Sequence, residues 1–464
     1  METNITVPHR LYEAALTAGF AGDCEAGAWL LFKKVEISSD PWTTNDRKRL
    51  ILSEVIRFTE HDTIEASPTR LTIQTDSYVA LLKRAEDEGL VVGFLHGHPT
   101  GHAEFSKWDD SNEAVLLQAG QNRNGPTTTL VSLLVLPDGT IKARIWSDLK
   151  NPVYLNVFVS GKRCIFFPKC DTTPAPDYKY DRQARVFGDR FNSALSSLSV
   201  TVVGAGGTGS PLATMLVRAG VGRVAVIDDD KIEESNLHRL WGVGRLNIGE
   251  YKAEALMRSL EQLQLGSKLA SFTNNVLDLA CRDTLKASDI IFCATDDHAG
   301  RMMLNRFAYF YETPVIDVGL AIQKGDGTVV QDMTGRVTTI YPGAACLLCR
   351  RIVDPRKARE EEMQKRSPEE FERQQLDGYV LEGGDPEPAF IGMTTSVACM
   401  AMDELSQMLS GFRGKNRIVT QRLRRFQIPE DRCSGGHPEP DCPICSSNEY
   451  WGIGDMKPFL DRIN

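Results

Sequence analysis

The segment HGHPTGHAEFSKWDD, residues 96–110, holds three of the chain's eight histidines together with a serine and two aspartates. His96 and His98 alternate at the end of an apolar run, LVVGFLH, so at a strand end both side chains point to one side. Asp109 follows eleven residues after His98. Two imidazoles and a carboxylate are the usual protein ligands of a catalytic zinc that keeps one position open. Such a metal lowers the pKa of water towards ~7. A general base is then required. Glu25, in CEAGAWLLF, precedes a predicted strand that can pair beside VVGFLH. Glu36 is its rival, and His102 lies in the spacer as an incidental histidine.

A second segment, VVGAGGTGS at 202–210, belongs to different chemistry. Gly204-x-Gly206-x-x-Gly209, with Gly207 inside it, follows a strand and opens a helix. Such glycines let a phosphate approach the backbone at a helix N-terminus. Asp228 ends the next strand, where a carboxylate can hold ribose hydroxyls. The glycines alone suit NAD, FAD or ATP equally. A third pattern is Cys346-Leu-Leu-Cys349 with Cys442-Pro-Ile-Cys445. Four thiolates complete a closed tetrahedral zinc site, and the long separation suits two distant segments clamped together.

The elements that must carry these residues fall into two patterns. Residues 1–168 read as mixed α and β. A helix (PHRLYEAALTAG) leads to a strand (GAWLLFKKVEI), a helix (DSYVALLKRAEDEG), the strand ending at the histidines, a further helix (DDSNEAVLLQAGQ) and a strand (TTLVSLLVL). Residues 169–180, rich in Pro, Asp and Thr, read as a linker. From 181 to 464 strands and helices alternate, which implies βαβ units and a mostly parallel sheet with helices on both faces. The charged stretch at 350–377 reads as a solvated helix or crossing loop. At 464 residues, two or three domains are expected. The net charge of −9 argues against a nucleic-acid binder. No apolar run approaches the ~20 residues that cross a bilayer, and the N-terminus lacks the pattern of a signal peptide. Eleven cysteines, mostly scattered, fit metal binding in a reducing cytoplasm better than a disulfide framework.

The order Glu…His-x-His-Pro…Ser-x-x-Asp, on Glu25, His96, His98, Pro99, Ser106 and Asp109, resembles the JAB/MPN (JAMM) metalloprotease signature. The resemblance implies zinc on His96, His98 and Asp109, Glu25 as general acid and base, and Ser106 helping to hold the tetrahedral oxyanion. Members of that family cleave bonds after the C-terminus of ubiquitin-like proteins. From residue 178 onward, YDRQARVFG, the glycine loop, DDKIEESNLHRL, IGEYKAEAL and CATDDHAGRMMLN resemble the adenylating domain shared by ubiquitin-activating enzymes and the bacterial ThiF and MoeB proteins. The resemblance places ATP against Gly204, Gly206, Gly207, Gly209, Asp228, Asp230, Asn236, Arg239 and Lys252. It implies magnesium on Asp296 and makes Arg182 an arginine finger, often supplied by a partner subunit. It makes the four-cysteine zinc structural.

The fold class expected is therefore α/β: a JAMM-type α+β domain followed by a Rossmann-like, doubly wound adenylating domain with a structural zinc site. The function expected is a bacterial-type fusion that processes and adenylates the C-terminus of a ubiquitin-like protein. The alternative within adenylation is a MoeB/ThiF-like enzyme that activates a sulfur-carrier protein or peptide, the JAMM half trimming the carrier. A further alternative makes one half a non-catalytic binding module. The cofactors expected are ATP, magnesium and two zinc ions, one catalytic and one structural. The partners expected are a carrier with a glycine tail, a second copy of the chain, and a ubiquitin-conjugating-type enzyme, with no nucleic acid and no membrane. The crossing segment, placed at 350–392, contains no cysteine, a departure from thioester-forming members. Cys433 and Cys399 remain as thioester candidates, although Cys399 reads as core on its apolar helix and Cys293 as buried on its strand.

Overall fold

Strand β1 (Glu2–Pro8), which no sustained alternating apolar pattern announces, completes the first sheet. The computed structural model describes residues 2–170, 178–324, 330–367, 369, 371, 389–414, 417–428 and 430–460. In the first unit β1 pairs in parallel with the strand Arg47–Arg57 on one side and with Val153–Ser160 on the other. The order runs from β1 through Arg47–Arg57, Gly27–Ile37, Val91–Gly97, Leu130–Val135, Ile141–Trp146 and Val153–Ser160 back to β1. The ring is thereby closed, which removes the exposed edges an open sheet would carry.

The continuous apolar run in Gly27–Ile37 has a packing cause. Ala28, Leu30 and Phe32 join Ile5, Leu52, Leu95 and Leu133 in one core. Trp29 and Leu31 face the other way, into a second core with Tyr78, Leu81 and Leu82 of the helix Asp76–Glu88 and Leu116 and Leu117 of the helix Lys107–Asn124. A strand buried on both faces loses the polar alternation of a half-exposed one. The helices predicted around His9, Asp76 and Asp109 are formed as His9–Ala18, Asp76–Glu88 and Lys107–Asn124.

The second unit is built on a sheet whose first five strands are parallel. In chain order these are Ser199–Val203, Arg223–Ile227, Lys268–Phe272, Ile290–Cys293 and Val315–Lys324. Their spatial order is third, second, first, fourth, fifth, and three antiparallel strands extend it (Val330–Ile340, Gln421–Arg425, Glu430–Ser434). The order therefore reverses between Ser199–Val203 and Ile290–Cys293. In open α/β sheets, ligands sit outside the carboxyl ends of the strands at such a point. The charged stretch at 350–377 supplies the helix Pro355–Arg366, capped by Asp354; of the expected crossing segment, 368, 370 and 372–388 lie outside the described residues.

By its internal contacts the chain divides into Met1–Ser38, Asn45–Thr173 and Gly452–Asn464 as one unit, and Ser39–Thr44 with Pro174–Trp451 as the other. The second domain was expected to run to 464, whereas the residues from Gly452 group with the first unit. The expected linker at 169–180 is partly structured, because Tyr178–Tyr180 forms a 3-10 turn. Among the described residues, no helix is long and apolar enough to cross a membrane.

Candidate functional sites

His96 lies in the strand Val91–Gly97, on the same face as Phe94, whose ring stacks on it at 5.3 Å. Asp109 sits in the first turn of Lys107–Asn124, and both ends of that turn are fixed by a capping box. The Ser106 hydroxyl accepts from the Asp109 N–H at 3.2 Å, and the Asp109 carboxylate accepts from the Ser106 N–H at 2.6 Å. Asp109 Oδ1 lies 3.3 Å from His96 Nε2, and Oδ2 lies 3.5 Å from His98 Nε2. Glu25 reaches within 3.9 Å of His98 Nε2. Glu36 is exposed at the far end of the next strand beside Lys48, so Glu25 is the carboxylate brought to the histidines. His102 contributes through its backbone. Its carbonyl accepts from His98 Nδ1 at 2.8 Å, which leaves Nε2 as the lone-pair nitrogen facing Asp109.

The set fits a metal. The donor atoms of His96, His98 and Asp109 lie within 4.8 Å of one another, all three residues buried. Both ring nitrogens of His96 are buried without a hydrogen-bond partner, a costly arrangement unless another ligand occupies one of them. Burial raises the Glu25 carboxyl above its usual range, and the two imidazoles offset only part of that. Against the burial that would raise it, the imidazoles and the Ser106 N–H hold Asp109 well below the carboxylate range. His98 is raised: burial opposes the charge, and Asp109 and the His102 carbonyl outweigh it.

In the second unit, a cavity of about 250 Å³ opens at the carboxyl ends of the parallel strands. Gly204, Gly206, Gly207, Asp228, Asp230, Arg239, Lys252 and Asp296 line it. Gly204 has φ of 95°, and a Cβ there would stand 2.6 Å from the Ala294 carbonyl. A Cβ on Gly209 would fall 1.8 Å from the Gly204 carbonyl. Gly209 therefore lets the helix Gly209–Ala219 start against the strand end, without lining the cavity. Asp228 accepts from the N–H groups of Ala205 (2.5 Å) and Asp230 (2.9 Å). Burial raises its carboxyl, and Lys252 and these hydrogen bonds only partly counter it. Lys252 is held at 2.7 Å by Asp230, and the Arg239 stem lies along Gly207.

Besides Gly209, two further expected residues are absent from the cavity wall, Asn236 and the arginine finger Arg182. Asn236 is buried and accepts from the Glu233 N–H, closing the turn that carries Arg239. Arg182 is exposed on the helix Asp181–Phe187 and does not line the cavity. Two cationic residues not assigned from the sequence do line it: Arg301, in the first turn of His298–Phe310, and Lys365, paired with Asp297 at 3.1 Å. Arg301 lies five residues after Asp296 in CATDDHAGRMMLN, a proximity too common on its own to single it out.

The four cysteines converge. Sulfur–sulfur separations are 3.8 Å (Cys346–Cys349), 3.6 Å (Cys346–Cys442) and 3.4 Å (Cys349–Cys445). A tetrahedron with metal–sulfur bonds of about 2.3 Å has edges of about 3.8 Å, so the thiols fit one ion. Their mutual hydrogen bonds favour a shared charge, with the Cys346 thiol drawn down to about 5. Cys399, expected in the core, is instead exposed on Ile391–Ser410, because that helix buries Val397, Ala398 and Met400 and turns Cys399 outward. Cys433 is exposed on a strand, and Cys293 is fully buried, as its sequence context implied.

Residues 180–444, more than half the chain, match the ThiF family. The chain belongs to the ThiF family. Residues 16–146 match the prokaryotic homologs of the JAB domain, so the chain joins a JAB-type region to a ThiF region. The chain is 32% identical over 174 residues to the adenylyltransferase and sulfurtransferase MOCS3 of Aedes aegypti, 37% of this chain and 38% of that protein. It is 33% identical over 153 residues to the sulfur carrier protein adenylyltransferase of Thermus thermophilus, 32% of this chain and 56% of that protein. The chain thus spans little more than a third of the length of the curated relatives it matches first. A crystal structure of E. coli MccB with succinimide aligns over 60% of this chain and 76% of that one, at 16% identity and a TM-score of 0.43.

Proposed function

We propose that the chain is an ATP-dependent adenylyltransferase for the C-terminal carboxylate of a sulfur-carrier or ubiquitin-like protein or peptide, with a JAB-type peptidase that trims the carrier. The relatives named adenylyltransferases support the sulfur-carrier form of this reading ahead of a ubiquitin-conjugating one. The observation that carries it is the convergence of the glycine turn, Asp228, Arg239, Lys252 and Asp296 on one cavity. The reading makes the sheet Rossmann-like. Asp228 grips the ribose and the glycine turn receives the phosphates. The carrier carboxylate attacks the α-phosphorus; its new O–P bond forms as the bond to the bridging oxygen breaks, and pyrophosphate leaves. Arg239 and Lys252 supply positive charge where the transition state gathers it. Asp296 would hold magnesium, an oxygen-seeking ion. Arg182 would act from a second copy in a homodimer. The four cysteines would hold a structural zinc that ties two segments 96 residues apart.

In the first unit, His96, His98 and Asp109 would hold zinc, whose Lewis acidity brings water towards a pKa of ~7. Glu25 takes the proton of the attacking water and returns it to the leaving amine. The Ser106 hydroxyl, which accepts from Asp109, keeps its own proton to donate to the oxyanion. The test is a candidate carrier ending in Gly-Gly, incubated with the protein and ATP and followed by intact mass and pyrophosphate exchange. Exchange that depends on the carrier, with a mass gain of one AMP, is expected. Exchange without carrier, or ATP cleaved to ADP, would rule the reading out.

A further inference from the structure

Two arginines in the second unit share one aspartate. Arg336 Nη2 donates to Asp317 Oδ2 at 2.7 Å, and Arg301 Nε lies 3.3 Å from Asp317 Oδ1 without a hydrogen bond. Asp317 is fully buried, and the Arg301 and Arg336 side chains are 14% and 18% exposed. The cluster therefore carries one positive charge more than its carboxylate neutralises. Among the described residues, Arg301's terminal nitrogens reach only backbone carbonyls, of Asp296 at 3.3 Å and Val318 at 3.4 Å. These are long for a charged donor, whose contacts normally run about 2.7–2.9 Å. A largely buried guanidinium so weakly satisfied is poised for an anion. Of the nearby acids, Asp297 is committed to Lys365 and to its helix cap, and Asp296 is exposed on the cavity rim.

Position along the sheet tells which anion. Asp228 follows the second strand, the glycine turn the first, and Asp296 the fourth, while Arg301 stands against Val318 and Gly319 of the fifth. Three strand spacings of about 4.8 Å put the fifth strand about 14 Å from the second. The nucleotide's ribose and phosphates have their partners on the near side, and Arg301 is on the far wall. Gly319 keeps that wall open, since a Cβ there would come 2.8 Å from Arg336 Nη2 and 3.5 Å from Arg301 Nη2.

We infer that Arg301 is the binding site for the carrier's C-terminal carboxylate, holding it by its planar fork beside the nucleotide before attack. This rests on the adenylation reading. A guanidinium matches a carboxylate with two parallel hydrogen bonds, which a lysine cannot do. Removing Arg301 leaves Asp317 paired with Arg336, so the variants retain a partner for the buried acid.

The test uses the full chain with a non-hydrolysable ATP analogue and two synthetic peptides ending in Gly-Gly, one with a free carboxylate and one as the C-terminal amide. Wild type is expected to prefer the carboxylate by about 10- to 100-fold, as a charge-assisted pair implies. Arg301→Gln should lose that preference, and Arg301→Lys should recover only part of it. Affinity for the analogue alone should not change in either variant. A preference that survives Arg301→Gln, or weakened analogue binding in its place, would overturn the inference. No peptide binding to wild type would instead bring down the adenylation reading itself, while analogue binding still reports a working nucleotide pocket.

Discussion

The buried Glu25 and the half-buried Asp228 are both carboxyls raised by loss of solvent, and the proposed function uses each shift. Glu25 faces His98 without a stronger partner in the described set, which suits a group that takes up and gives back a proton. Glu25→Gln should cut trimming of a carrier precursor by about 10²- to 10⁴-fold while leaving carrier-dependent pyrophosphate exchange at wild-type rate, both measurable on one preparation. For Asp228 the sign follows from its position. Burial makes it bind a proton at higher pH than the ordinary value of about 3.9, and the protonated form loses part of its grip on ribose hydroxyls. ATP affinity, measured calorimetrically, should therefore decline as pH falls towards that raised pKa, beginning above the ordinary carboxyl range. Asp228→Asn should bind weakly at every pH. An affinity in wild type that does not decline until pH falls into the ordinary carboxyl range would contradict the assignment. The histidines, Asp109 and Glu25 were legible because their spacing survives in one dimension. Arg301 was not, because its neighbours come from two strands about 15 to 35 residues further on, and nothing local announces the shared Asp317.

At the scale of elements, the helix Lys107–Asn124 is the device that aims Asp109. Its capping box satisfies two backbone N–H groups and fixes the carboxylate in the same stroke. Ser106→Ala should destabilise the first unit by about 1 kcal/mol and weaken zinc about 10- to 100-fold, read by thermal melting and chelator competition. Ser106→Asn restores a cap but no hydroxyl. It should regain most of the zinc affinity, and if it does not regain trimming, the hydroxyl itself serves the reaction. The strand Gly27–Ile37 was legible from its apolar run. β1 was not, because its opening residues are polar and its partners lie more than forty and a hundred and fifty residues away. The exposure of Cys399 has a related cause: an apolar helix still has an outer face, and only packing selects it.

At the scale of the whole molecule, the proposed function places two chemistries in two units of one chain and requires two kinds of metal site. Purified protein should hold about two zinc per chain. Cys442→Ser should remove one, lower the unfolding temperature and abolish exchange, while His96→Ala should remove the other and leave exchange intact. Architecture at this scale was read from strand and helix alternation, whereas the excursion of Ser39–Thr44 and the return from Gly452 depend on contacts no pattern encodes. The claim on which most depends is that the cavity activates a protein or peptide carboxylate with ATP. Pyrophosphate exchange with a Gly-Gly carrier, measured beside the same carrier ending in an amide, tests it most directly. The account predicts exchange with the free carboxylate and none with the amide; equal exchange with both, or with neither while ATP binds, would contradict it.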